Sequence, residues 1–254
     1  MAGTSSSTNE KMRLDLLLTR AGHFETRARA RDAIARGAVS VEGQPCTKPG
    51  ARFAADVAVS VDDAAQPYVS RAALKLIGGL DAFDFDPRDR TVLDIGASTG
   101  GFSQVLLERG AKRVIAVDVG HGQLHPALRD DPRLSKHDGI NARSLPADIA
   151  AGHPVEAVVS DVSFISLKLA LPPALSLAVS GSFCVLLVKP QFEAGRAAIG
   201  KGGLLKDPAM GPVIAQTLSQ WLDTQPGWTS RGICPSPIDG SDGNREFLLG
   251  GQKT

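Results

Sequence analysis

Four charged residues of this chain interrupt or end apolar stretches, where an unpaired charge is costly to bury. Lys75 lies within the apolar segment SRAALKL, and Glu246 directly precedes the apolar run FLL. Asp161 and Lys189 each end a run rich in valine and leucine. Each of these residues, taken alone, is more simply explained as a solvent-exposed residue at the end of a strand. Brought together, such groups can move a proton and stabilise a developing oxyanion.

A glycine-rich turn forms a second candidate site. In Leu93-Asp94-Ile-Gly96-Ala-Ser-Thr-Gly100-Gly101-Phe102, a strand, a turn and a helix start bring backbone N–H groups close to a ligand. Three residues separate Gly96 from Gly100, so the GxGxxG fingerprint of dinucleotide-binding proteins does not fit. Asp118 ends the next predicted strand and can accept both ribose hydroxyls. Asp138, after the third strand, is either a further candidate ligand, for the adenine part of such a nucleoside, or a surface aspartate.

One segment imitates a phosphate-binding loop. Residues 195–202 (GRAAIGKG) nearly match GxxxxGK[ST], but Gly202 stands where the magnesium-binding Ser or Thr belongs. The segment also follows Pro-Gln-Phe-Glu and does not leave a strand directly. It therefore predicts a loop over the active site and not an ATP site.

The elements that must position these residues begin at about Pro67. From there strands and helices alternate, which predicts a parallel sheet with crossover helices. The predicted strands cover 90–95, 114–118, 155–161 and 183–189, with a helix over 101–110. The last three strands end in a charged residue, at the edge where such sheets bind ligands.

The amino-terminal part reads as a separate α+β module over residues 11–62. Apolar residues at helical spacing over 12–18 predict one helix, and Thr26 is a suitable N-cap for a second that closes at Gly37. Residues 38–41 and 57–61 alternate as strands do.

The charge of this module differs from that of the rest. Between Lys11 and Arg52, nine Lys and Arg oppose four Asp and Glu, so the net +1 of the chain divides into +5 here and −4 elsewhere. This asymmetry predicts a polyanion-binding module attached to a catalytic body. Arginines crowd the second helix nearly unopposed, which favours an RNA-contacting helix over a merely solvated one.

Composition excludes several classes of protein. A chain of 254 residues with 43% hydrophobic and 22% charged residues is an ordinary globular protein. Cys46, Cys184 and Cys234 are widely spaced and form no CxxC, which argues against a zinc site or disulfide framework and for the cytoplasm. Residues 1–10 are predicted to be a disordered tail. The uncharged run 169–188 could span a bilayer, but Pro172-Pro173 and Ser-Gly-Ser break it into a short helix and a buried strand.

Two resemblances build on these motifs. Residues 13–53 resemble the ribosomal S4-type RNA-binding domain, with Glu42 where Asn is usual before Gly43. Together with this module, the rest of the chain closely resembles the TlyA family of rRNA cytidine 2′-O-methyltransferases, historically called hemolysins. The resemblance covers about residues 11–250 and rests on YVSRAALKL (68–76), LDIGASTGGF (93–102), SDVSFISL (160–167), VKPQFEAGR (188–196) and SPIDGSDGNREFLL (236–249).

The resemblance implies an α/β fold: a class I, Rossmann-like methyltransferase domain preceded by a small α+β S4-like domain. We expect a tail at 1–10, the S4-like domain at 11–64, a linker at 65–69 and an FtsJ-like methyltransferase domain at 70–254. It implies a catalytic tetrad of Lys75, Asp161, Lys189 and Glu246. Lys189 then deprotonates a ribose hydroxyl or stabilises the developing alkoxide, and both roles remain open.

The implied methyl donor is S-adenosylmethionine. Its expected ligands are Asp94, Gly96, Ala97, Ser98, Gly100, Gly101, Phe102, Asp118, Asp138 and Asp161. The expected RNA-binding side chains are Arg13, Arg20, Arg27, Arg29, Arg31 and Arg36.

The expected partner is ribosomal RNA within a ribosomal subunit, bound by a monomer without a metal ion or a membrane. Only eight residues follow Glu246. In this respect the chain resembles the shorter members of the family, which modify only the large subunit. A membrane-active hemolysin is the first alternative, although the interrupted run 169–188 is its only candidate insertion segment. An RNA-binding protein without catalysis is the second, and the intact tetrad argues against it.

Overall fold

The computed structural model describes residues 11–254, so the predicted tail at residues 1–10 lies outside the described residues. The described chain divides into two compact units, of which the first ends at Ala64 and the second covers residues 65–254.

The first unit is built from two helices and short antiparallel strands. Strands β3, β2 and β5 form one sheet in that order, and β1 pairs with β4. The buried side chains of Leu14, Leu18, Ile34 and Val39 pack between the helices and the sheet. In chain order the elements are β1 (Met12–Arg13), α1 (Leu14–Arg20), α2 (Arg27–Ala35), β2 (Val39–Val41), β3 (Gln44–Pro45), β4 (Arg52–Phe53) and β5 (Val59–Val61).

The helices of this unit begin where backbone donors find partners. Thr26 caps α2 as predicted, because its hydroxyl accepts from the N–H of Arg29 at 3.3 Å. The first helix starts at Leu14 and not at Met12 as predicted. Met12 and Arg13 pair instead with β4, and the N–H of Leu14 donates to the carbonyl of Ala51 at 2.8 Å. Periodicity alone could not detect this nonlocal pairing.

The second unit is a seven-stranded sheet with helices on both faces, in the order β11-β12-β10-β9-β6-β7-β8. Strands β6 to β10 are parallel, and β12 runs antiparallel to both neighbours. Its elements are α3 (Ala72–Phe83), β6 (Thr91–Ile95), α4 (Gly101–Glu108), β7 (Arg113–Asp118), α5 (Pro126–Arg129), β8 (Leu134–Asp138), β9 (Val155–Ser160), α6 (Leu167–Ala170), α7 (Pro172–Leu177), β10 (Ala178–Val188), α8 (Pro190–Glu193), α9 (Met210–Asp223), β11 (Trp228–Pro235) and β12 (Phe247–Lys253).

Alternate residues of the central strands pack into two separate cores. Leu93 and Val158 face the core that holds α6, α7 and α9, whereas Val92 and Val159 face the core that holds α3 and α4. This alternation is the period-two pattern of strands buried on both faces. The predicted α/β fold, with its Rossmann-like sheet, is therefore confirmed.

The chain order reverses between β6 and β9. From β6 the chain adds β7 and β8 on one side, then returns to place β9 and β10 on the other. Such a reversal opens a crevice at the carboxyl ends of the strands. The charged ends of β7 and β9 lie at this edge of the sheet.

The uncharged run at 169–188 divides into helix and strand as predicted, but the prediction that Ser-Gly-Ser breaks it was wrong. Pro172 begins the short helix α7, and β10 starts at Ala178. The Ser-Gly-Ser sequence lies inside β10, where the register with β9 shifts between Ala178 and Phe183. Within residues 11–254, no helix is long and apolar enough to cross a membrane.

A buried carboxylate organises the first unit. The side chain of Asp15 is fully buried and accepts two bonds from Arg13, at 3.0 and 3.1 Å, and one from Arg27 at 2.9 Å. These arginines, Arg13 above all, lower the pKa of Asp15 from 3.8 to about 2 against the effect of burial. The carboxylate therefore holds β1, α1 and α2 together.

We predict that Asp15→Asn destabilises the first unit at neutral pH by about 2 kcal/mol, the value linked to this depression of the pKa. Because the folded-state pKa lies below the unfolded one, this stabilisation is present above about pH 4 and is lost as the pH falls towards 2. Amide hydrogen exchange across α1 and α2 measures it in the full chain. Asp56→Asn, at an exposed aspartate, is the control, and equal protection in both variants contradicts the prediction.

Candidate functional site

The turn after β6 is shaped by a close approach of two backbones. Gly96 has φ +84°, and a Cβ placed there would lie 2.8 Å from the carbonyl oxygen of Asp161. The N–H of Asp161 in turn donates to the carbonyl of Ile95 at 3.0 Å. Only glycine combines this backbone conformation with the absence of a side chain. The turn and the end of β9 are therefore fixed against each other.

The other glycines of the motif bring α4 close to its neighbours. A Cβ at Gly100, which has φ +96°, would lie 2.4 Å from the side chain of Leu128. At Gly101, a Cβ would lie 2.9 Å from the Cβ of Ser70. Gly100 thus shapes the turn, whereas Gly101 lies at the surface of a small cavity with Ala97 and Phe102.

Asp118, at the end of β7, is held by two backbone donors. Its carboxylate oxygens accept from the N–H of Ser98 at 2.8 Å and from the N–H of Gly120 at 2.7 Å. A carboxylate has about four acceptor positions, so each oxygen can accept another bond. Ser98 and Asp118 line one cavity of about 450 Å³, as do Gly96 and Asp161.

Asp94 and Asp138 are not among the lining residues of that cavity. Asp94 is fully buried and accepts from the hydroxyl of Ser103 at 2.6 Å, while its second oxygen has no partner. Burial above all, together with the nearby carboxylates of Asp161 and Asp118, raises the pKa of Asp94 to about 7. Asp138 accepts from the N–H of Gly122 and from Lys136, each at 2.8 Å. Asp94 thus joins β6 to α4, and Asp138 holds the loop that contains Gly122.

Lys75 and Glu246 form a buried ion pair. Their Nζ and Oε2 atoms are 2.5 Å apart, and their side chains are 7% and 3% exposed. Lys75 comes from α3, and Glu246 immediately precedes β12. Burial raises the pKa of Glu246, and the charges of Lys75 and Lys189 oppose that shift. Each partner compensates a charge that would be costly to bury alone.

Asp161 and Lys189 form the second pair, across the neighbouring strands β9 and β10. Nζ of Lys189 is 2.6 Å from Oδ1 of Asp161, a contact that lacks the angles of a hydrogen bond. The amine donates instead to the hydroxyl of Ser163 at 2.7 Å. All four members of the predicted tetrad line one cavity of about 490 Å³.

Three cavities adjoin along this edge. Asp161 and Ser163 line all of them: the cavity beside Asp118, the small one at the glycine turn and the one with the tetrad. A methyl donor at the turn and an acceptor at the tetrad would therefore meet at these two residues. Within residues 11–254, no cluster of His, Cys, Asp and Glu could hold a metal ion.

The predicted loop at 195–202 borders the cavity with the tetrad, through Ile199, Gly202 and Gly203. Asn244, which is buried, holds this loop from the segment before β12. Its amide accepts from the N–H of Leu205 at 3.0 Å and donates to the carbonyl of Gly203 at 2.9 Å. The same segment thus carries Glu246 and the support of the loop.

Sequence reasoning missed two residues of the site, Ser163 and Phe164. Phe164 is 89% exposed, has φ +65° and lies 5.0 Å from the ring of Phe192, centroid to centroid. Both rings border the cavity with the tetrad. The signal was present, because both missed residues follow Asp161 within three positions.

The arginines of the first unit are more often paired than predicted. Arg36 binds Asp63 through two bonds of 2.9 Å and Asp32 at 2.8 Å. Arg13 and Arg27 are held by Asp15, and Arg29 lies 3.8 Å from Glu25. The prediction that these charges are nearly unopposed was therefore wrong. Carboxylates come from Glu25 directly before α2, from Asp32 on α2, and from Asp15 and Asp63 outside it.

Two arginines differ from the others. Arg20 and Arg31 are exposed, and in the part of the chain that the structure describes neither has a carboxylate within 4.0 Å. They present their full charge to solvent. They are thus the clearest candidates for phosphate contacts among the six predicted arginines.

Fold and site together define a class I methyltransferase. The chain matches the FtsJ-like methyltransferase family over residues 68–253 and the S4 domain over residues 12–56. It belongs to the TlyA family, whose members include a protein named "Putative rRNA methyltransferase YqxC" from Bacillus subtilis. That protein is 43% identical over 243 residues, which cover 95% of this chain and 86% of the relative.

Two further proteins support this assignment. The 16S/23S rRNA (cytidine-2′-O)-methyltransferase TlyA of Mycobacterium tuberculosis is 41% identical, over 94% of this chain and 89% of the relative. A solved structure described as a "putative hemolysin" from Streptococcus thermophilus superposes with a TM-score of 0.73 at 39% identity. It covers 97% of this chain and 90% of that one. The resemblance found in the sequence is confirmed.

We predict that Gly96→Ala weakens binding of S-adenosylmethionine at least about tenfold, or about 1.4 kcal/mol. The added Cβ pushes the turn away from the carbonyl of Asp161, which lies 2.8 Å from its position. Calorimetry measures the affinity. Gly152→Ala is the matched control, because Gly152 also has a positive φ, +80°, but has no neighbour within 4 Å. Unchanged affinity of the Gly96 variant would show that the close approach is dispensable.

Proposed function

We propose that this protein transfers a methyl group from S-adenosylmethionine to the ribose 2′-hydroxyl of a cytidine in ribosomal RNA. One observation carries the proposal: Lys75, Asp161, Lys189 and Glu246 come from four distant segments and line a single cavity beside the glycine turn. The family supplies the substrate class, since curated TlyA relatives are rRNA cytidine 2′-O-methyltransferases.

The cavity beside Asp118 suits the methyl donor. Gly96 and Ser98 form one wall, and Asp118 offers free acceptor positions for ribose hydroxyls. Apolar residues such as Val119 and Ile140 complete the lining. When bound, S-adenosylmethionine supplies a methyl group whose carbon is activated by the cationic sulfur for attack by a ribose oxygen.

Lys189 is the residue we assign to the attacking oxygen. A lysine amine has three N–H donors, of which one is used by Ser163 and one faces Asp161. The third is available to the 2′-oxygen. We infer that Lys189 orients the hydroxyl and stabilises the negative charge that develops on its oxygen as the hydroxyl proton passes to solvent water.

Lys75 and Glu246 complete the lining of the cavity with the tetrad. Glu246 interacts electrostatically with Lys189 as well as with Lys75. Each carboxylate of the tetrad therefore has a lysine within ion-pair distance. We propose that the Lys75–Glu246 pair sets the electrostatic field around Lys189 and limits how far the Lys189 amine can move.

The target nucleotide must leave its helix to reach this site. The side chain of Lys189 is only 11% exposed, so a ribose held within a duplex cannot approach it. Phe164 offers an exposed ring beside the cavity, on which a splayed-out base can stack. Aromatic residues make up 5% of the chain, so one ring and not a broad platform serves this purpose.

The first unit provides affinity for RNA. Its S4 domain carries the exposed Arg20 and Arg31, which suit phosphate contacts that position an RNA without reading its sequence. We expect a monomer in the cytoplasm, acting on the large ribosomal subunit. The membrane-active alternative finds no support in the described residues, none of whose helices could cross a membrane.

We predict that Lys189→Ala lowers methyl transfer by at least about a hundredfold, the lower end for loss of a group acting at the transition state. Tritium transfer from S-adenosylmethionine to purified large and small subunits, assayed separately, measures activity and subunit choice. Lys112→Ala, an exposed lysine before β7, is the control. Absence of transfer by the wild-type protein refutes the proposed function, whereas normal turnover by a folded Lys189 variant refutes only the assigned role.

We predict that Arg20→Ala with Arg31→Ala weakens RNA binding and flattens its salt dependence, by about 0.7–0.9 log unit of slope per lost phosphate contact. Affinity for S-adenosylmethionine stays unchanged because the cofactor cavity lies in the other unit. Titration of an rRNA fragment at several salt concentrations measures the slope. Arg88→Ala, an exposed arginine before β6, is the control. An unaltered slope would mean that both arginines belong to a solvated face.

A further inference from the structure

Ser163 contacts the amine of the central lysine without another bonding role in the fold. Its hydroxyl accepts from Nζ of Lys189 at 2.7 Å and, among the described residues, donates to no acceptor. The residue is exposed and borders all three cavities. A serine at this place is therefore not explained by packing.

The backbone after β9 explains why Ser163 and Asp161 reach the same amine. Side chains alternate in direction along an extended segment. Val162 lies between them and is buried in the core that holds α6 and α7. Its burial turns the residues on either side towards the cavity. Two oxygen acceptors, two residues apart, thus face the lysine at the end of the adjacent strand.

The two acceptors differ in the contact they make. Asp161 approaches the amine at 2.6 Å but without hydrogen-bond angles, and its Oδ1 is buried with no hydrogen bond. Ser163 makes the well-oriented bond. Without that bond, the lysine side chain is free to shift until its amine is in line with Oδ1, since a charge-assisted hydrogen bond is stronger than a distorted contact. Such a shift draws the amine towards Asp161 and changes the direction of its remaining N–H.

From this geometry we propose that Ser163 is a positioning residue for methyl transfer: its hydroxyl holds the Lys189 amine in the orientation that presents an N–H to the 2′-oxygen. The inference rests on the proposed function and adds to it. Ser163 acts through Lys189, so it affects the chemical step while leaving binding of S-adenosylmethionine and of RNA intact.

The test is a comparison of Ser163→Ala with Ser163→Thr in the full chain, using tritium transfer to ribosomal subunits. We expect kcat of the alanine variant to fall at least about tenfold, equivalent to about 1.4 kcal/mol. KM for both substrates and the calorimetric affinity for S-adenosylmethionine should stay within about twofold, well under that difference. The threonine variant keeps a hydroxyl and should recover most of the lost kcat.

Ser180→Ala is the matched control, because Ser180 is an exposed serine near the other end of β10. A normal kcat in Ser163→Ala overturns the inference. So does a rise in KM and in the dissociation constant for S-adenosylmethionine with normal kcat, which would make Ser163 a cofactor ligand. If the alanine variant fails to fold, the threonine variant decides the question. A folded threonine variant that lacks methyl transfer overturns the inference as well. An inactive wild-type protein refutes the proposed function instead.

Discussion

The close approach of Gly96 to the backbone of Asp161 is the constraint on which the site depends. It locks the turn after β6 to the end of β9, at the point where the strand order reverses. Asp161 consequently lies between the cofactor cavity and the cavity with the tetrad, and lines both. A side chain at position 96 would separate these two strand ends. Donor and acceptor would then no longer meet at a common residue.

The carboxylates of the site differ in whether an opposite charge compensates them. Glu246 and Asp161 each have a lysine within ion-pair distance. Asp94 is more deeply buried than either and has only the hydroxyl of Ser103, and burial above all raises its pKa to about 7. Because the paired groups come from distant segments, their charges are compensated only when the sheet is complete. Assembly of the site and completion of the fold are thus the same event.

The sequence was sufficient where a local pattern has one physical meaning. Alternating strands and helices predicted the sheet, and Asp161 and Lys189 directly follow the buried strands β9 and β10. It was insufficient where distant residues decide: the pairing of Met12-Arg13 with β4 shortened a predicted helix. Asp63, outside the arginine-rich segment, pairs with Arg36. The bond between Ser163 and Lys189 was equally hidden, because it joins the ends of two strands that are distant in the sequence.

The carboxylates of the first unit also change what its net charge means. A charge of +5 between Lys11 and Arg52 counts every arginine equally, but Asp15 and Asp63 hold Arg13, Arg27 and Arg36 in the scaffold. These arginines make between one and three bonds to carboxylates, and each bond leaves fewer donors for a phosphate. Only side chains without such partners keep their full binding capacity. Sequence charge therefore identifies the RNA-binding unit, whereas the buried aspartates determine which of its arginines remain available.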